Sequence, residues 1–188
     1  MDMGRREFIK SGAALGAGLT LAFYLPAGFG AVSKAAASDS TSMPNAFIRI
    51  ATDSSVTVIV KHSEMGQGVY TGLPTLVAEE LDADWAQISV EAAPAKAGLY
   101  RNLAWGSLQG TGQSNSTANS FDQMRQAGAT ARAMLVAAAA AQWGVSADEI
   151  SVSKGVVQHH SSQRKANFGE LADKASQLIV PETVKLKD

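Results

Sequence analysis

The chain has 188 residues, 46% hydrophobic and 18% charged, with 16 Lys plus Arg against 17 Asp plus Glu and a formal net charge of -1. That near balance, with no basic stripe carrying interleaved aromatics, excludes nucleic acid as an expected partner, and the length fits one ordinary globular domain beside any targeting segment. The absence of cysteine excludes disulfides, thiolate zinc sites, iron-sulfur ligation and a thiol nucleophile within this chain, so any such centre would sit on a partner.

The first stretch, GRREFIKSGAALGAGLTLAFYLPAGFGAVSKAAAS, has the three parts of an export signal. Arg5, Arg6 and Lys10 form the charged end, residues 11–25 an apolar run diluted by Gly and Ala, and Ala35, Ala36 and Ala37 a small-residue cleavage site. The run falls short of the about 20 strongly apolar residues of a membrane span, and an uncleaved anchor is the alternative reading. Arg5-Arg6-Glu7-Phe8-Ile9-Lys10 resembles the twin-arginine signal. That resemblance implies export to the periplasm in a folded state by the twin-arginine machinery. The GAALGAG inside this segment follows no strand, so it is not a dinucleotide loop.

Residues 1–37 are therefore assigned to the signal and 38–45 to a polar linker. A compact domain is expected over 46–180, followed by an extended tail over 181–188. Alternating runs at 46–51 and 55–61 around Thr52-Asp53-Ser54 predict a β-hairpin. Val69, Leu73, Leu76, Val77 and Leu81 recur at three and four, which predicts an amphipathic helix with Pro74 near its first turns. Residues 87–92 read as a short strand. Residues 93–113 form a connection with five glycines or prolines and two large aromatics, Tyr100 and Trp105. A connection of about 20 residues inside a compact domain points to a binding loop.

Ser116 or Thr117 is a good N-cap for a long Ala-rich helix running to Trp143. Its inner face, Ala127, Gly128, Ala131, Leu135 and Ala138, is small enough for another backbone to approach closely. Residues 149–152 and 156–160 predict a second hairpin around Lys154-Gly155, and 168–177 a short helix. The order ββα, β, long α, ββα predicts an α+β fold, an antiparallel or mixed sheet with helices packed on one face.

Two segments carry candidate chemistry. In KHSEMGQGVYTG, Gly66 and Gly68 permit positive φ and remove Cβ, while the Gln67 amide donates and accepts at once. Just before a helix N-terminus this can cradle an anion or a heterocycle, or it can be a plain turn. In TGQSNST, Thr111, Ser114, Ser116 and Thr117 surround free N–H groups at a helix start. That suits phosphate or pyrophosphate, or is a capping arrangement without a ligand. Two such loops could frame opposite sides of one ligand.

EMGQGVYT (64–71), LVAEEL (76–81), TGQSNST (111–117), QAGATARAML (126–135) and WGV (143–145), in this order, resemble the molybdenum-binding subunit of the xanthine oxidase family. The match is to its isoquinoline 1-oxidoreductase β-subunit or aldehyde dehydrogenase-like type, over essentially the whole chain. The resemblance implies a molybdenum-molybdopterin cofactor, usually in its cytosine dinucleotide form. Gly66, Gln67 and Gly68 would contact the pterin and a nearby phosphate through backbone N–H and the Gln67 amide. Thr111, Ser114, Ser116 and Thr117 would hold the pterin or pyrophosphate. The implied reaction is hydroxylation of a small molecule at an electron-poor carbon, such as an N-heteroaromatic or an aldehyde, with electrons leaving through iron-sulfur clusters on a small partner subunit.

Family members of this type run to roughly four single-domain lengths, so this chain is expected to be the N-terminal part of such a subunit, packing against its remaining domains. The family's general-base glutamate, which lies near the far end, has no counterpart here. No catalytic residue and no metal ligand is assigned, and the chain is expected to be inactive alone. A truncated, non-enzymatic exported binding module is the alternative. Glu64 reads as a loop-fixing residue and Glu79-Glu80 as a solvated helix face. His62 is placed beside the loop behind the ligand-contacting residues, His159-His160 as an exposed pair, and Trp85, Trp105 and Trp143 as packing residues.

Overall fold

A computed structural model of the chain describes residues 18–22 and 46–188. Four strands form the first sheet in the order β1-β2-β3-β4: β1 Gly18–Ala22, β2 Ala46–Ala51, β3 Val56–Val60 and β4 Ile88–Ala92. β1 and β3 each run antiparallel to β2, and β4 runs parallel to β3. The sheet is therefore mixed. The parallel pair requires a crossover, which α1, Val69–Leu81, supplies.

The remaining elements are α2 Ala97–Tyr100, α3 Phe121–Trp143, a three-stranded antiparallel sheet of β5 Ile150–Ser153, β6 Val156–His159 and β7 Arg164–Asn167, and α4 Phe168–Ser176. The α+β architecture expected from the element order is the observed one.

Register explains the layering. Ile48 stands opposite Val58 and Ile50 opposite Val56, and these four with Val60 are buried beneath the helices. The alternate positions carry Arg49, Thr57, Ser89 and Glu91, joined by an Arg49–Glu91 ion pair at 2.6 Å and a Thr57–Ser89 hydroxyl contact at 3.1 Å. Period-two alternation thus sets a continuous apolar face against one that carries these polar pairs and also the buried Phe47 and Ile59. At one corner Phe47 is covered by Tyr100, ring centroids 5.6 Å apart and edge to face. α1 and α3 pack so closely that a Cβ added at Gly128 would lie 2.6 Å from the Val77 carbonyl oxygen. The small-residue face of the long helix serves the close approach its composition predicts.

Several expectations are corrected. β1 lies inside the stretch assigned to the signal, so regular structure does not start at residue 46; the strand fills the free edge of β2. The twin-arginine pattern, the cleavage site and the linker lie outside the described residues. Helix α3 starts at Phe121 with Ser120 as N-cap, not at Ser116 or Thr117. The long connection contains one short helix, α2. The second hairpin gains a third strand, β7, whose RKAN sequence lacks any β-rich run and is ordered by pairing with β6. His159 is buried rather than exposed, while His160 faces out. Glu80 is 1% exposed, against the solvated face read for Glu79-Glu80. It meets Arg125 at 2.7 Å and accepts the Lys187 main-chain N–H at 3.1 Å, so the 181–188 tail is tied to α1 and α3.

Candidate functional site

The turn between β3 and α1 is organised by Glu64. Its Oε1 accepts the N–H groups of Gly66 at 2.7 Å and Gly68 at 3.0 Å, and its Oε2 accepts that of Tyr70 at 2.9 Å. These donors, the Tyr70 N–H first, hold the exposed carboxyl below the usual carboxylate range. Glu64 is the loop-fixing residue its position suggests, and it neutralises the α1 N-terminus from outside the helix. Gln67 is also engaged: its Oε1 accepts the Met65 N–H and its Nε2 donates to the Ser63 carbonyl, both at 2.7 Å. One N–H of that amide, which has two, remains for a ligand.

What the loop offers a ligand is closeness of approach. Gly66 has φ +95 and Gly68 φ +84, and a Cβ built at either meets no atom within 4 Å. The backbone conformation demands glycine while the space beside it is open. A flat group can approach this backbone closely, so the space beside the loop is compatible with a pterin.

The second loop reaches the first through tertiary contacts. Ser63 N–H donates to the Thr111 hydroxyl at 2.8 Å. His62, 1% exposed, has Nδ1 3.2 Å from the Gly110 carbonyl and Nε2 3.1 Å from the Ser120 hydroxyl and 3.3 Å from Asn119 Oδ1. With Nδ1–H donating to Gly110, Nε2 of the neutral ring accepts from Ser120. Burial, then the charge on Lys61, lowers the His62 pKa despite the bonds to Asn119 and Gly110 that favour a proton.

Asn102, fully buried, extends this network. Its Nδ2 donates to Gly110 O and to Asn115 Oδ1, and its Oδ1 accepts from Ala104 N–H and Asn119 Nδ2. A buried network so fully satisfied fixes the loop in one conformation. Trp105 adds a strut: its Nε1–H donates to Gln113 at 2.8 Å, and its ring lies where a Cβ at Gly110 or Gly112 would be, 2.6 and 3.1 Å away. Trp105 therefore packs on its own loop.

Of the seven residues singled out by sequence, Gly66, Gln67, Gly68 and Thr111 come together. Ser116 is buried, and Ser114 and Thr117 are exposed in the turns before α3. Ser114 and its neighbour Gln113 both have left-handed φ, 52 and 55. Asn102, Asn119 and Ser120 were not singled out. Asn119 and Ser120 sit in a polar run where every residue is a plausible cap, and Asn102 has no local signal. Among the described residues no three His, Asp or Glu side chains gather as a metal-binding group, and no helix is long and apolar enough to cross a membrane.

Comparison with known proteins is consistent across sequence and structure. The profile of the molybdopterin cofactor-binding domain family matches residues 4–187. The chain is 42% identical over 160 residues to the isoquinoline 1-oxidoreductase subunit beta of Brevundimonas diminuta, covering 85% of this chain and 20% of that protein. It is 29% identical over 186 residues to the membrane-bound aldehyde dehydrogenase [pyrroloquinoline-quinone] of Gluconacetobacter polyoxogenes, covering 96% of this chain and 23% of that protein. Among solved structures, reconstituted CO dehydrogenase from Oligotropha carboxidovorans shares the fold, with a TM-score of 0.52 and 22% identity over 67% of this chain and 15% of that one. The chain thus spans 20% and 23% of the length of these two sequence relatives.

Proposed function

The chain belongs to the molybdopterin cofactor-binding domain family, and from that membership we propose that it is the N-terminal cofactor-binding part of the large subunit of an exported molybdenum hydroxylase. The observation that carries this reading is the junction of the two loops: the glycine turn before α1 and the Thr111 segment before α3 meet through Ser63, His62 and a satisfied amide network. Each loop alone is common, and their union sets the open backbone of the glycine turn beside the Thr111 hydroxyl, which supports a shared ligand.

Gly66 and Gly68 admit the flat face of the pterin, the remaining Gln67 N–H meets a ring acceptor, and the Thr111 hydroxyl, which accepts from Ser63, still has a proton to donate. Ser114, Ser116 and Thr117 lie on the path toward α3, where a phosphate would be met. The cofactor is proposed to be the cytosine dinucleotide form. When bound, the molybdenum centre supplies the two-electron chemistry for hydroxylating an electron-poor carbon of an N-heteroaromatic or an aldehyde. This chain's residues orient the group and supply no general base. Turnover is assigned to the assembled enzyme, with the rest of the large subunit and a small iron-sulfur subunit. Residues 5–10 support export to the periplasm by the twin-arginine route.

The deciding experiment co-expresses the chain, continued by the rest of its large subunit, with a small iron-sulfur subunit. Molybdenum is then counted per large subunit and the nucleotide released by acid is identified. About one molybdenum with cytidine monophosphate is expected. No molybdenum would sink the cofactor reading, and a different nucleotide would sink the dinucleotide form.

A further inference from the structure

His159 ends β6, where register sets it between Ile150 of β5 and Arg164 of β7. It is 5% exposed. Its Nδ1 lies 2.7 Å from the hydroxyl of Ser162, in the turn that joins β6 to β7. With Nδ1–H donating to that oxygen, the neutral ring presents a bare lone pair at Nε2. Among the described residues, this Nε2 is the buried side-chain nitrogen or oxygen that has no hydrogen-bond partner. A buried polar atom left without a partner costs stability, so its place calls for an explanation.

The group nearest to it is a carboxylate. Glu149 closes the single 3-10 turn Ala147–Glu149 that leads into β5, and its Oε2 stands 3.5 Å from His159 Nε2. That separation is too long for a good N–H···O hydrogen bond. It matches the spacing of two ligands on one tetrahedral zinc ion, whose nitrogen and oxygen donors at their usual bond lengths stand about 3.3–3.5 Å apart. The Glu149 side chain is 56% exposed, so the space between the two atoms is reached from solvent on that side. Arg164, the nearest cation by register, has its guanidinium bonded to the Trp143 carbonyl at 2.6 Å.

We propose that His159 Nε2 and Glu149 Oε2 form a binding site for a divalent transition-metal ion, zinc being the probe of choice. Imidazole with carboxylate suits zinc, nickel or copper better than magnesium, which prefers oxygen alone. The Ser162 hydroxyl fixes the ring and its tautomer, the role an outer partner plays for a metal-bound histidine. Among the described residues no third His, Asp or Glu joins the pair, so water completes the coordination on the open side. The bound ion clips the 3-10 turn before β5 to the end of β6. The site lies outside both signature loops and stands independently of the cofactor reading.

The test titrates zinc into the full chain after removal of metals with a chelator, by calorimetry and thermal shift. About one zinc per chain is expected, with a rise in Tm that grows with zinc concentration. His159→Gln and Glu149→Gln are each expected to lower the affinity about tenfold or more, and Ser162→Ala about tenfold. His160→Gln, the exposed neighbour whose Nε2 faces Ser151 instead, is expected to bind as wild type does. In NMR, His159 is expected to carry its proton on Nδ1, and its Nε2 resonance to shift on adding zinc.

No binding by wild type up to about 1 mM zinc overturns the proposal. So does undiminished binding by either His159→Gln or Glu149→Gln, or loss of binding in His160→Gln. An Nε2–H tautomer that persists at saturating zinc does the same. Circular dichroism checks folding, and Glu149→Gln, an exposed substitution, decides together with the NMR shift if the buried His159→Gln fails to fold.

Discussion

The main-chain N–H of Ser63 donates to the hydroxyl of Thr111 at 2.8 Å, a bond that spans 48 residues of sequence. It is the direct strap between the glycine turn and the second loop, and the His62 contact with Gly110 runs alongside it. Thr111→Val keeps the shape and removes the acceptor. The variant is expected to lose about 1 kcal/mol in urea denaturation, and Thr111→Ser to recover most of it. Equal stability of Val and Thr at this position would show that the strap does not hold the loops.

Gly68 occupies the N-cap position of α1 at φ +84, with nothing within 4 Å of a built Cβ. Strain at this site is therefore a matter of backbone conformation rather than collision. A β-branched residue held at positive φ costs about 1–3 kcal/mol, which the loop relieves by changing shape. Gly68→Val is expected to lower molybdenum content in the assembled enzyme sharply while export is unchanged. Wild-type molybdenum content in that variant would remove the cradle role.

Histidine 62 sets a pH dependence whose sign follows from its lowered pKa. The unfolded side chain titrates near 6.5 and the folded one lower, because burial and Lys61 oppose the proton. Between those values the unfolded state binds more protons, so stability is complete above about pH 6.5 and falls as the pH drops toward the folded pKa. His62→Gln lacks this term. The stability difference between wild type and His62→Gln should shrink from pH 7 to pH 5 in matched urea curves, and a constant difference would contradict the assignment.

Two glycines on facing helices give opposite predictions for one substitution. At Gly128 a Cβ would sit 2.6 Å from the Val77 carbonyl oxygen, an atom fixed in the α1 backbone, whereas at Gly72 it meets nothing within 4 Å. Gly128→Ala should destabilise by about 1–3 kcal/mol through overpacking, and Gly72→Ala should stabilise by about 0.5–1 kcal/mol through helix propensity. Thermal denaturation of the pair checks both, and a stabilising Gly128→Ala would mean that α1 and α3 do not pack as described.

The helix start shows why part of the site was illegible. From Ser114 to Ser120 almost every residue is a good cap, so local chemistry places the start of α3 anywhere in that run. The choice of Ser120 is tertiary, since its hydroxyl is claimed by His62, which lies 58 residues away in sequence. Glu79 and Glu80 are a similar case. They are neighbours of equal propensity, and only the packing of α1 against α3 decides that Glu80 turns inward to Arg125.

The sequence by itself determined the main elements and their order, though not β1, α2 or β7, together with the α+β class, the two loops and the family they belong to. The elements and loops rest on periodicity and on residue types with steric or hydrogen-bonding demands that travel with the chain, and the family on the resemblance of its ordered motifs. Only the tertiary structure decided that Glu64 consumes the glycine-loop N–H groups, that His62 and Asn102 bind the loops together, and that Lys61 is buried with its ammonium on Gln123 of α3. Desolvation and hydrogen-bond geometry depend on which distant segments meet, and no local pattern encodes that meeting.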